Sequence, residues 1–365
     1  MSTTTPGTAD RRLHTAFCDL VGVRYPIIQT GMGWVSGSRL TAATARAGGL
    51  GIIAAVPMTF DQMVAAIDEV REATDAPFGV NLRADAGDID RRVEHLVAAE
   101  VRVASFAQAP GRDTVERLRS AGVIVVPTVG ARRHAEKVAE WGVDAVLAQG
   151  AEGGGHTGVV PTAVLVPQVL DAVDVPVIAA GGITDGRGLA AALAWGASGV
   201  AMGTRFLLTS DSPVVDAAKR LYLDADVDGT LVTRRVDGVP QRVLRAGALT
   251  DVVDASPFRR AIGSVRNAIA FQRLSGTPWS TMVREGLAMR RSRDLSFSQV
   301  LMAANAPMLY RAALLEGRTD VGIAASGQVA GVIDDLPNCQ ELLERIVAEA
   351  SGALARLGAA TSPSS

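Results

Sequence analysis

Several residue types that mark particular protein classes are scarce in this chain of 365 residues. It has two cysteines, Cys18 and Cys339, which are far apart and form no CxxC pair, so neither a disulfide framework nor a structural zinc site is expected. Aromatic residues make up 4% of the chain, so the core must consist mainly of Ala, Val, Leu and Ile. This composition favours an α/β fold, and the few cysteines fit a reducing cytoplasm.

The sequence also lacks an excess of positive charge and a long apolar run. The formal net charge is -2 and the pI is about 6.1, which leaves no overall field to attract nucleic acid or an anionic membrane surface. Gly, Pro and charged residues interrupt every apolar run well short of a membrane span, and the amino terminus lacks the apolar segment of a signal peptide. We therefore expect a small-molecule substrate, no nucleic acid and no membrane partner, and we leave a homo-oligomer open.

What the sequence does contain is a repeated pattern of short Val/Ile-rich runs. Each run is followed by a Gly-rich or polar loop and then by an amphipathic stretch, as in repeated βα units. Eight such units predict a TIM (β/α)8 barrel, with an open doubly wound sheet as the alternative. The candidate strands are Pro26–Thr30, Leu50–Ala55, Phe78–Arg83, Val101–Gln108, Val123–Gly130, Ala145–Gly150, Pro176–Gly182 and Gly199–Thr204.

The rhythm of these units breaks after Thr204. The segment 210–320 has a mostly helical pattern and is predicted to be an additional substrate or lid segment, whereas 321–358 returns to the barrel. The predicted organisation is a disordered tail at 1–19, a barrel formed by 20–209 and 321–358, the helical segment between them, and a disordered tail at 359–365.

Two glycine-containing loops follow the seventh and eighth candidate strands. Gly181 and Gly182 lie in the first loop, and Gly203 and Thr204 lie in the second. Glycines let backbone amides approach a phosphate closely, and each loop runs into a helix whose positive end favours an anion. The alternative is that these glycines only form tight turns between strand and helix. Two such loops on the last two strands nevertheless favour a phosphate site that holds FMN, with a sugar phosphate as the competing ligand.

The loop after the sixth candidate strand carries the histidine that is best suited to catalysis. Three glycines, Gly153 to Gly155, precede His156, so the imidazole can be presented over a ligand. An imidazole exchanges protons near neutral pH, which makes His156 the candidate acid/base residue. His14 falls in the predicted tail, whereas His95 and His134 fall on charged helix surfaces, where solvated side chains are expected.

Amide side chains at strand ends are the remaining candidates near a flavin. Gln149 ends the sixth strand and Asn81 lies near the end of the third, and either amide can donate to and accept from the edge of a flavin ring. Asn81 could instead cap a loop. Glu152, which flanks the His156 loop, could be a solvated loop carboxylate rather than part of a site.

In this order, these motifs resemble the nitronate monooxygenase family, formerly called 2-nitropropane dioxygenases. The likeness is carried by Gln29–Gly33, Ala47–Gly51, Gly79–Leu82, the His156 loop, Ala180–Ile183 and Met202–Thr204. The resemblance implies an FMN-dependent TIM-barrel oxidoreductase in which His156 is catalytic. The positions that it matches to flavin contacts are Met32, Asn81, Gln149, Gly154, Gly182, Gly203 and Thr204, with Gly327 and Gln328 returning to the flavin edge.

Two departures from the family pattern weaken the expectation of nitronate activity. The family usually has Pro where this chain has Gly31, and Ala where it has Gly153. Over nearly its whole length, the chain more closely resembles the IpdC-type flavin reductases of steroid CD-ring degradation, which act on an indanone-type CoA thioester.

An independent feature of the sequence agrees with a CoA thioester. Residues 234–311 contain thirteen arginines, no lysine and five acidic residues. Guanidinium groups can bind the phosphates of CoA through paired hydrogen bonds. The alternative is that these arginines only form a solvated helical surface. The candidate substrate-binding residues, unranked by the sequence, are Arg234, Arg235, Arg242 and Arg245.

The resulting hypothesis is a ping-pong cycle in which NADH or NADPH reduces FMN, and hydride then passes to a conjugated acyl-CoA while His156 supplies or removes the proton. The reverse direction, dehydrogenation, uses the same groups and is the alternative. The first rival is a nitronate monooxygenase that oxidises small nitronates with oxygen. The second rival, from another class, is a non-catalytic protein that binds a flavin or another phosphate ligand.

Overall fold

The computed structural model describes residues 11–246, 297–320 and 322–360. Two compact units are formed by the chain. The barrel unit contains the residues up to 152, residues 158–213 and the residues from 335 onward. The hairpin unit contains residues 153–157 and 214–334. Each unit is described by itself below, with helices and strands numbered along the described residues.

The barrel unit is built on a closed sheet of eight parallel strands in the order β1-β2-β3-β4-β5-β6-β8-β9. This sheet confirms the predicted TIM barrel and excludes the open doubly wound sheet. Each strand lies inside its predicted run, because a strand covered on both faces reads as a continuous apolar segment. The strands are β1 Ile27–Gln29, β2 Leu50–Ala54, β3 Phe78–Leu82, β4 Val103–Phe106, β5 Ile124–Val129, β6 Val146–Gln149, β8 Val177–Ala180 and β9 Gly199–Met202.

Helices alternate with these strands, as the βα repeat requires. The clearest start signal is at α3, where the Thr59 side chain accepts from the Gln62 amide and the Gln62 side chain accepts from the Thr59 amide. This capping box satisfies two amide groups that lack partners within the helix. The helices are α2 Ser38–Arg46, α3 Phe60–Ala73, α4 Ile89–Ala98, α5 Arg112–Ser120, α6 Arg132–Ala139, α7 Thr162–Leu170, α8 Gly186–Trp195 and α9 Thr204–Leu207.

The prediction of a disordered tail through residue 19 is wrong for residues 11–19. A 3-10 helix, Arg11–Leu13, and helix α1, Ala16–Val21, precede the barrel. Phe17 is fully buried, and α1 shares the apolar cluster that fills the barrel. Arg102, next to the amino end of β4, donates to the Val21 carbonyl at 3.1 Å. Helix α1 therefore packs at the amino-terminal ends of the strands, opposite the end where barrel active sites are built.

The carboxyl-terminal helix α12, Cys339–Ala360, packs against α8. A methyl group at Gly186 would lie 2.3 Å from the Ile346 carbonyl oxygen, so α8 begins in direct backbone contact with α12. Just before α12, Asp335 pairs with buried Arg205 at 2.7 Å and with Arg345 at 2.5 Å. Hydrogen bonds from Arg345 and Arg205 hold the pKa of the Asp335 carboxyl below its usual value.

The hairpin unit contains a small antiparallel sheet, in the order β10-β11-β7. Two of its strands lie in segment 210–320, where no strand was expected. In the described parts of that segment, 210–246 and 297–320, more residues are nevertheless helical than extended. The unit also includes residues 322–334, which had been assigned to the barrel. The elements are β7 Gly155–His156, α10 Asp216–Leu223, β10 Thr230–Thr233, β11 Gln241–Leu244, α11 Phe297–Leu314 and a 3-10 helix, Gln328–Val332.

A separate apolar cluster holds the hairpin unit together. Val243 of β11, Val236 of the β10–β11 loop and Ile323 are buried with Ala306 of α11. Leu231, Leu309 and Tyr310 pack against this cluster. The sheet is thus fixed to the second half of α11, which brings Tyr310 close to β11.

None of the helices in the described part of the chain is both long enough and apolar enough to span a bilayer. The cytoplasmic location stays a prediction from the sequence.

We predict that Gly51→Ala destabilises the barrel unit. A methyl group at Gly51 would lie 2.2 Å from the Thr41 carbonyl oxygen, so α2 would have to move away from β2. Overpacking of this kind costs about 1–3 kcal/mol. The measurement is the midpoint of thermal unfolding. Gly87→Ala is the matched control, because nothing lies within 4 Å of a methyl group at that position. Equal midpoints for the two variants would contradict the prediction.

Candidate active site

Four neighbouring strands bring most of the predicted flavin contacts to one edge of the barrel. In the sheet register Gln149 of β6 lies beside Ala180 of β8, Ala180 lies beside Ala201 of β9, and Met202 lies beside Gln29 of β1. The loops that begin after β8, β9 and β1 therefore leave the sheet side by side. The predicted flavin-contact residues at these four strand ends are Met32, Gln149, Gly181, Gly182, Gly203 and Thr204.

The glycines of these loops form a surface without side chains. Gly181 and Gly182 have φ values of +93° and +75°, in the left-handed region that glycine adopts without strain. A methyl group at Gly203 would lie 3.3 Å from Thr30 Oγ1 and 3.5 Å from Met32 Sδ, which joins this loop to the one after β1. Backbone in this arrangement can approach a phosphate group closely, so these residues fit the phosphate end of a flavin nucleotide.

The expected contribution of the helix after β8 is wrong. The Asp185 side chain accepts from the Gly188 amide at 3.0 Å, and the Gly186 amide donates to Glu349 Oε2 at 2.9 Å. Two carboxylates therefore already occupy the positive end of α8. The helix after Gly203, α9, is only four residues long. The amides of the glycine loops, rather than a helix dipole, are therefore the candidate phosphate donors.

Glu152 is a structural residue of the barrel unit and not the solvated loop carboxylate that the sequence allowed. Its carboxylate accepts from the Thr162 amide at 2.9 Å and from Thr162 Oγ1 at 2.8 Å, at the start of α7. The same Thr162 hydroxyl lies 2.9 Å from the Gly181 carbonyl oxygen. Glu152 thus helps to fix the peptide that precedes Gly182.

The structure gives a physical reason for the first departure from the family pattern. Asn81 is buried near the end of β3, where its side-chain amide lies 3.3 Å from Ser105 Oγ. A methyl group at Gly31 would lie only 2.5 Å from Asn81 Cβ and 3.1 Å from its Cγ. Any side chain at position 31, proline included, would displace Asn81. The absence of a side chain at Gly31 is therefore what allows Asn81 to occupy its position.

In the hairpin unit, His156 belongs to a hydrogen-bonded group that sequence reasoning missed. Its Nε2 lies 2.7 Å from Asp237 Oδ2 and 3.0 Å from Gln241 Nε2, and the Tyr310 hydroxyl donates to Gln241 Oε1. Burial alone would raise the pKa of Asp237, but the hydrogen bonds from His156 and from its other partners lower it below its usual value. Burial raises the pKa of Tyr310 well above its ordinary range, so the phenol keeps its proton and donates.

One local signal could have indicated part of this group. Asp237-Gly238 is a common turn pair between two strands, and Gly238 has a φ of +86°. The sequence gives no sign that Asp237 meets His156, because 81 residues separate them.

The glycines before His156 serve two different purposes. A methyl group at Gly154 would lie 2.6 Å from the Gly327 amide nitrogen, so the chain at 326–327 passes in direct contact with this loop. Gly155 has a φ of +66° and opens β7. The structure thus brings the predicted residues Gly154 and Gly327 together, and exposed Gln328 begins the 3-10 helix that follows.

The four candidate arginines occupy different places around the β10–β11 hairpin. Arg234 is exposed and Arg235 half-buried in the loop that also carries Asp237. Arg242 pairs with Gly155 and Val232 in the sheet, on the face opposite to Gln241 and His156, and it donates to Thr230 Oγ1 at 2.9 Å. Arg245 follows β11. Arg234 and Arg235 are therefore the pair nearest in the chain to Asp237.

The remaining histidines differ from one another. His14 Nε2 lies 2.7 Å from Asp19 Oδ1, and His134 is exposed on α6, as predicted for a surface residue. The expectation of a solvated side chain is wrong for His95. Its ring is half-buried and packs edge-on against Phe60 at 5.6 Å between ring centroids.

Comparison with known proteins places this fold among the flavin oxidoreductase barrels. The nitronate monooxygenase family model matches residues 14–90 and 85–349, and the chain belongs to this family. A protein of Mycobacterium tuberculosis (strain H37Rv), named (3aS,4S,5R,7aS)-5-hydroxy-7a-methyl-1-oxo-octahydro-1H-indene-4-carboxyl-CoA dehydrogenase, is 57% identical over 93% of this chain and 96% of its own length. A protein of the same name from Rhodococcus jostii (strain RHA1) is 54% identical over 95% of this chain and 98% of its own.

A solved structure agrees with this assignment. FabK from Thermotoga maritima superposes with a TM-score of 0.77 and 34% identity, covering 94% of this chain and 98% of its own. The chain is therefore an oxidoreductase of a flavin-dependent family, as its motifs indicated.

We predict that Gly31→Ala weakens flavin binding because it displaces Asn81. A cost within the usual overpacking range of about 1–3 kcal/mol corresponds to a rise of about five- to 150-fold in the dissociation constant. The measurement is a fluorescence titration of the flavin-stripped protein with FMN. Gly33→Ala, in the same loop, is the control, because a methyl group there first meets Pro57 Cγ at 4.0 Å. The same affinity in both variants would count against the role given to Asn81.

Proposed function

We propose that this chain is an FMN-dependent oxidoreductase that transfers hydride between NADH or NADPH, FMN and a CoA thioester of the indene-carboxyl type formed in steroid ring degradation. The names of its two full-length relatives support this substrate class, and its family supports the flavin. The proposal includes His156 as the acid/base residue and the hairpin unit as the part that binds the CoA ester.

The observation that carries this proposal is the composition of the β10–β11 loop. This loop contains Asp237, which is hydrogen-bonded to His156, together with Arg234 and Arg235. Guanidinium groups bind phosphates through paired hydrogen bonds, and CoA carries a pyrophosphate and a 3′-phosphate. A small nitronate carries no phosphate and therefore offers no such partner to guanidinium groups.

Separate groups of residues in this chain would hold the flavin phosphate, contact the flavin ring and transfer the proton. When bound, FMN supplies a ring atom that accepts or donates hydride. The amides of Gly181, Gly182, Gly203 and Thr204 would hold its phosphate, while Met32, Asn81 and Gln149 would contact the ring. Gly154, Gly327 and Gln328 would complete the flavin contacts. His156 would hold or remove the proton that balances the hydride at the substrate.

A nitronate monooxygenase is the second candidate, favoured by the family model that the chain matches. Oxidation of propionate-3-nitronate by oxygen, at a rate unaffected by any CoA ester, would support this candidate over the first.

The proposal predicts a yellow protein whose colour is bleached by NADH or NADPH in the absence of oxygen. The colour should return on addition of an oxidised CoA thioester of the indene-carboxyl class, but not with the corresponding free acid, because the arginines bind the CoA phosphates. The measurement is the visible spectrum after each addition. A colourless protein that does not bind FMN would overturn the cofactor assignment, and equal reoxidation by the free acid would overturn the substrate class.

We also predict that Arg234→Ala and Arg235→Ala raise KM for the CoA ester. Loss of a hydrogen bond to a charged group costs about 1.5–3 kcal/mol, which is about tenfold or more in affinity. Steady-state kinetics with the CoA ester measure the change, and reduction by the nicotinamide should keep its wild-type rate. Arg71→Ala removes an exposed arginine from α3 and should leave KM unchanged. Unchanged KM values in both loop variants would remove the CoA role of this loop.

A further inference from the structure

We infer that Asp237 is a positioning residue that keeps a proton on Nε2 of His156 and thereby makes Nδ1 the atom that exchanges protons with the substrate. This inference rests on the acid/base role proposed for His156. Gln241 and Tyr310 hold Asp237 and the imidazole in this arrangement.

The sheet register places the interacting side chains on one face. Gln241 of β11 is directly opposite His156 of β7, so their side chains project from the same side of the sheet. The backbone pairing continues beyond β7, where the Thr157 amide donates to the Pro240 carbonyl at 3.1 Å. Asp237 lies in the loop just before β11, and its Oδ1 accepts from the Val239 amide at 3.1 Å. The carboxylate is therefore oriented by its own turn.

The hydrogen-bond chemistry then assigns the imidazole proton. An ionised carboxylate can only accept, so a nitrogen 2.7 Å from Asp237 Oδ2 must carry the hydrogen. The Gln241 amide is a competing partner. Its Oε1 accepts from the Tyr310 hydroxyl, so its NH2 group faces the Asp237 carboxylate, which it hydrogen-bonds, and His156 Nε2, which lies 3.0 Å away and would have to offer a lone pair to accept from it. The contact with the ionised carboxylate is shorter and charge-assisted, so it decides in favour of a proton on Nε2. A lone pair on Nε2 would face the carboxylate and be repelled by it.

The assignment has a defined consequence for proton transfer. A neutral imidazole with its proton on Nε2 carries its lone pair on Nδ1. When Nδ1 takes a proton from the substrate, the Nε2 proton stays in place and Asp237 stays ionised. The positive charge that forms on the ring is then stabilised by the adjacent carboxylate. In the reverse direction Nδ1 returns the same proton, and no other group changes its protonation state.

The decisive experiment reads the proton directly. The flavin-loaded protein is labelled with 15N-histidine, and the four histidines give few enough ring signals for His156→Gln to identify those of residue 156. In the neutral form of the ring we expect the Nε2–H tautomer in the wild type. A spectrum dominated by the Nδ1–H tautomer would overturn the inference, and this test needs no variant at Asp237.

Variants test the cause of the tautomer. Asp237→Asn should lose the preference for Nε2–H, and kcat should fall by about 100-fold, at the lower end of what general acid/base catalysis contributes, while KM for the CoA ester changes little. Asp228→Asn removes the same charge from an exposed turn of the hairpin unit and should behave as the wild type. Tyr310→Phe should reduce the tautomer preference without abolishing it. An unchanged tautomer and kcat in Asp237→Asn would overturn the inference.

The proposed function and the role of Asp237 can be disproved separately. If the protein turns over no CoA ester, the proposed function is wrong, but the spectrum of His156 still reports whether Asp237 sets its tautomer. If turnover is as proposed and the ring carries its proton on Nδ1, the inference alone is wrong.

Discussion

The parallel closure of eight strands is the constraint on which the arrangement of the glycine loops depends. Because every strand runs in the same direction, the loops after β6, β8, β9 and β1 emerge at one edge although they are distant in sequence. Helix α1 packs at the other end, and the apolar cluster fills the space between the strands. The glycine loops can consequently approach one another without a core of their own. Their conformation is fixed locally by contacts such as Glu152 with Thr162 and Gly203 with Met32.

This constraint also explains how much of the fold could be predicted. The barrel strands are buried on both faces, so each appears as a continuous run of Val, Ile, Leu and Ala, and all eight runs were recognised. Strands β10 and β11 have only four residues each, and each has just two apolar residues in succession, so neither gives the long Val/Ile-rich run of a barrel strand and their segment was taken as helical. Helix α1 was missed because six residues beside a polar terminus give little periodic signal.

The candidate site could be predicted where its residues lie in one stretch of chain. The glycine loops and His156 stand out in this way. Asp237, Gln241 and Tyr310 were not predicted, because they reach His156 only through the pairing of β11 with β7 and the packing of α11. The anion-binding role expected for α8 failed for a related reason. One of the two carboxylates at its start, Glu349, belongs to a helix more than 150 residues further along the chain.

The strand that carries His156 has a consequence for the modularity of this protein. Residues 153–157 interrupt the barrel sequence, yet their contacts are with residues of the 214–334 segment, through β11 and Gly327. Excising that segment to obtain a minimal barrel would leave the histidine strand without its neighbours. Grafting the segment onto another barrel would likewise fail to transfer the contact between Asp237 and His156 unless residues 153–157 moved with it. The residues that surround His156 therefore come from two separate stretches of the chain, and both are needed to reproduce its environment.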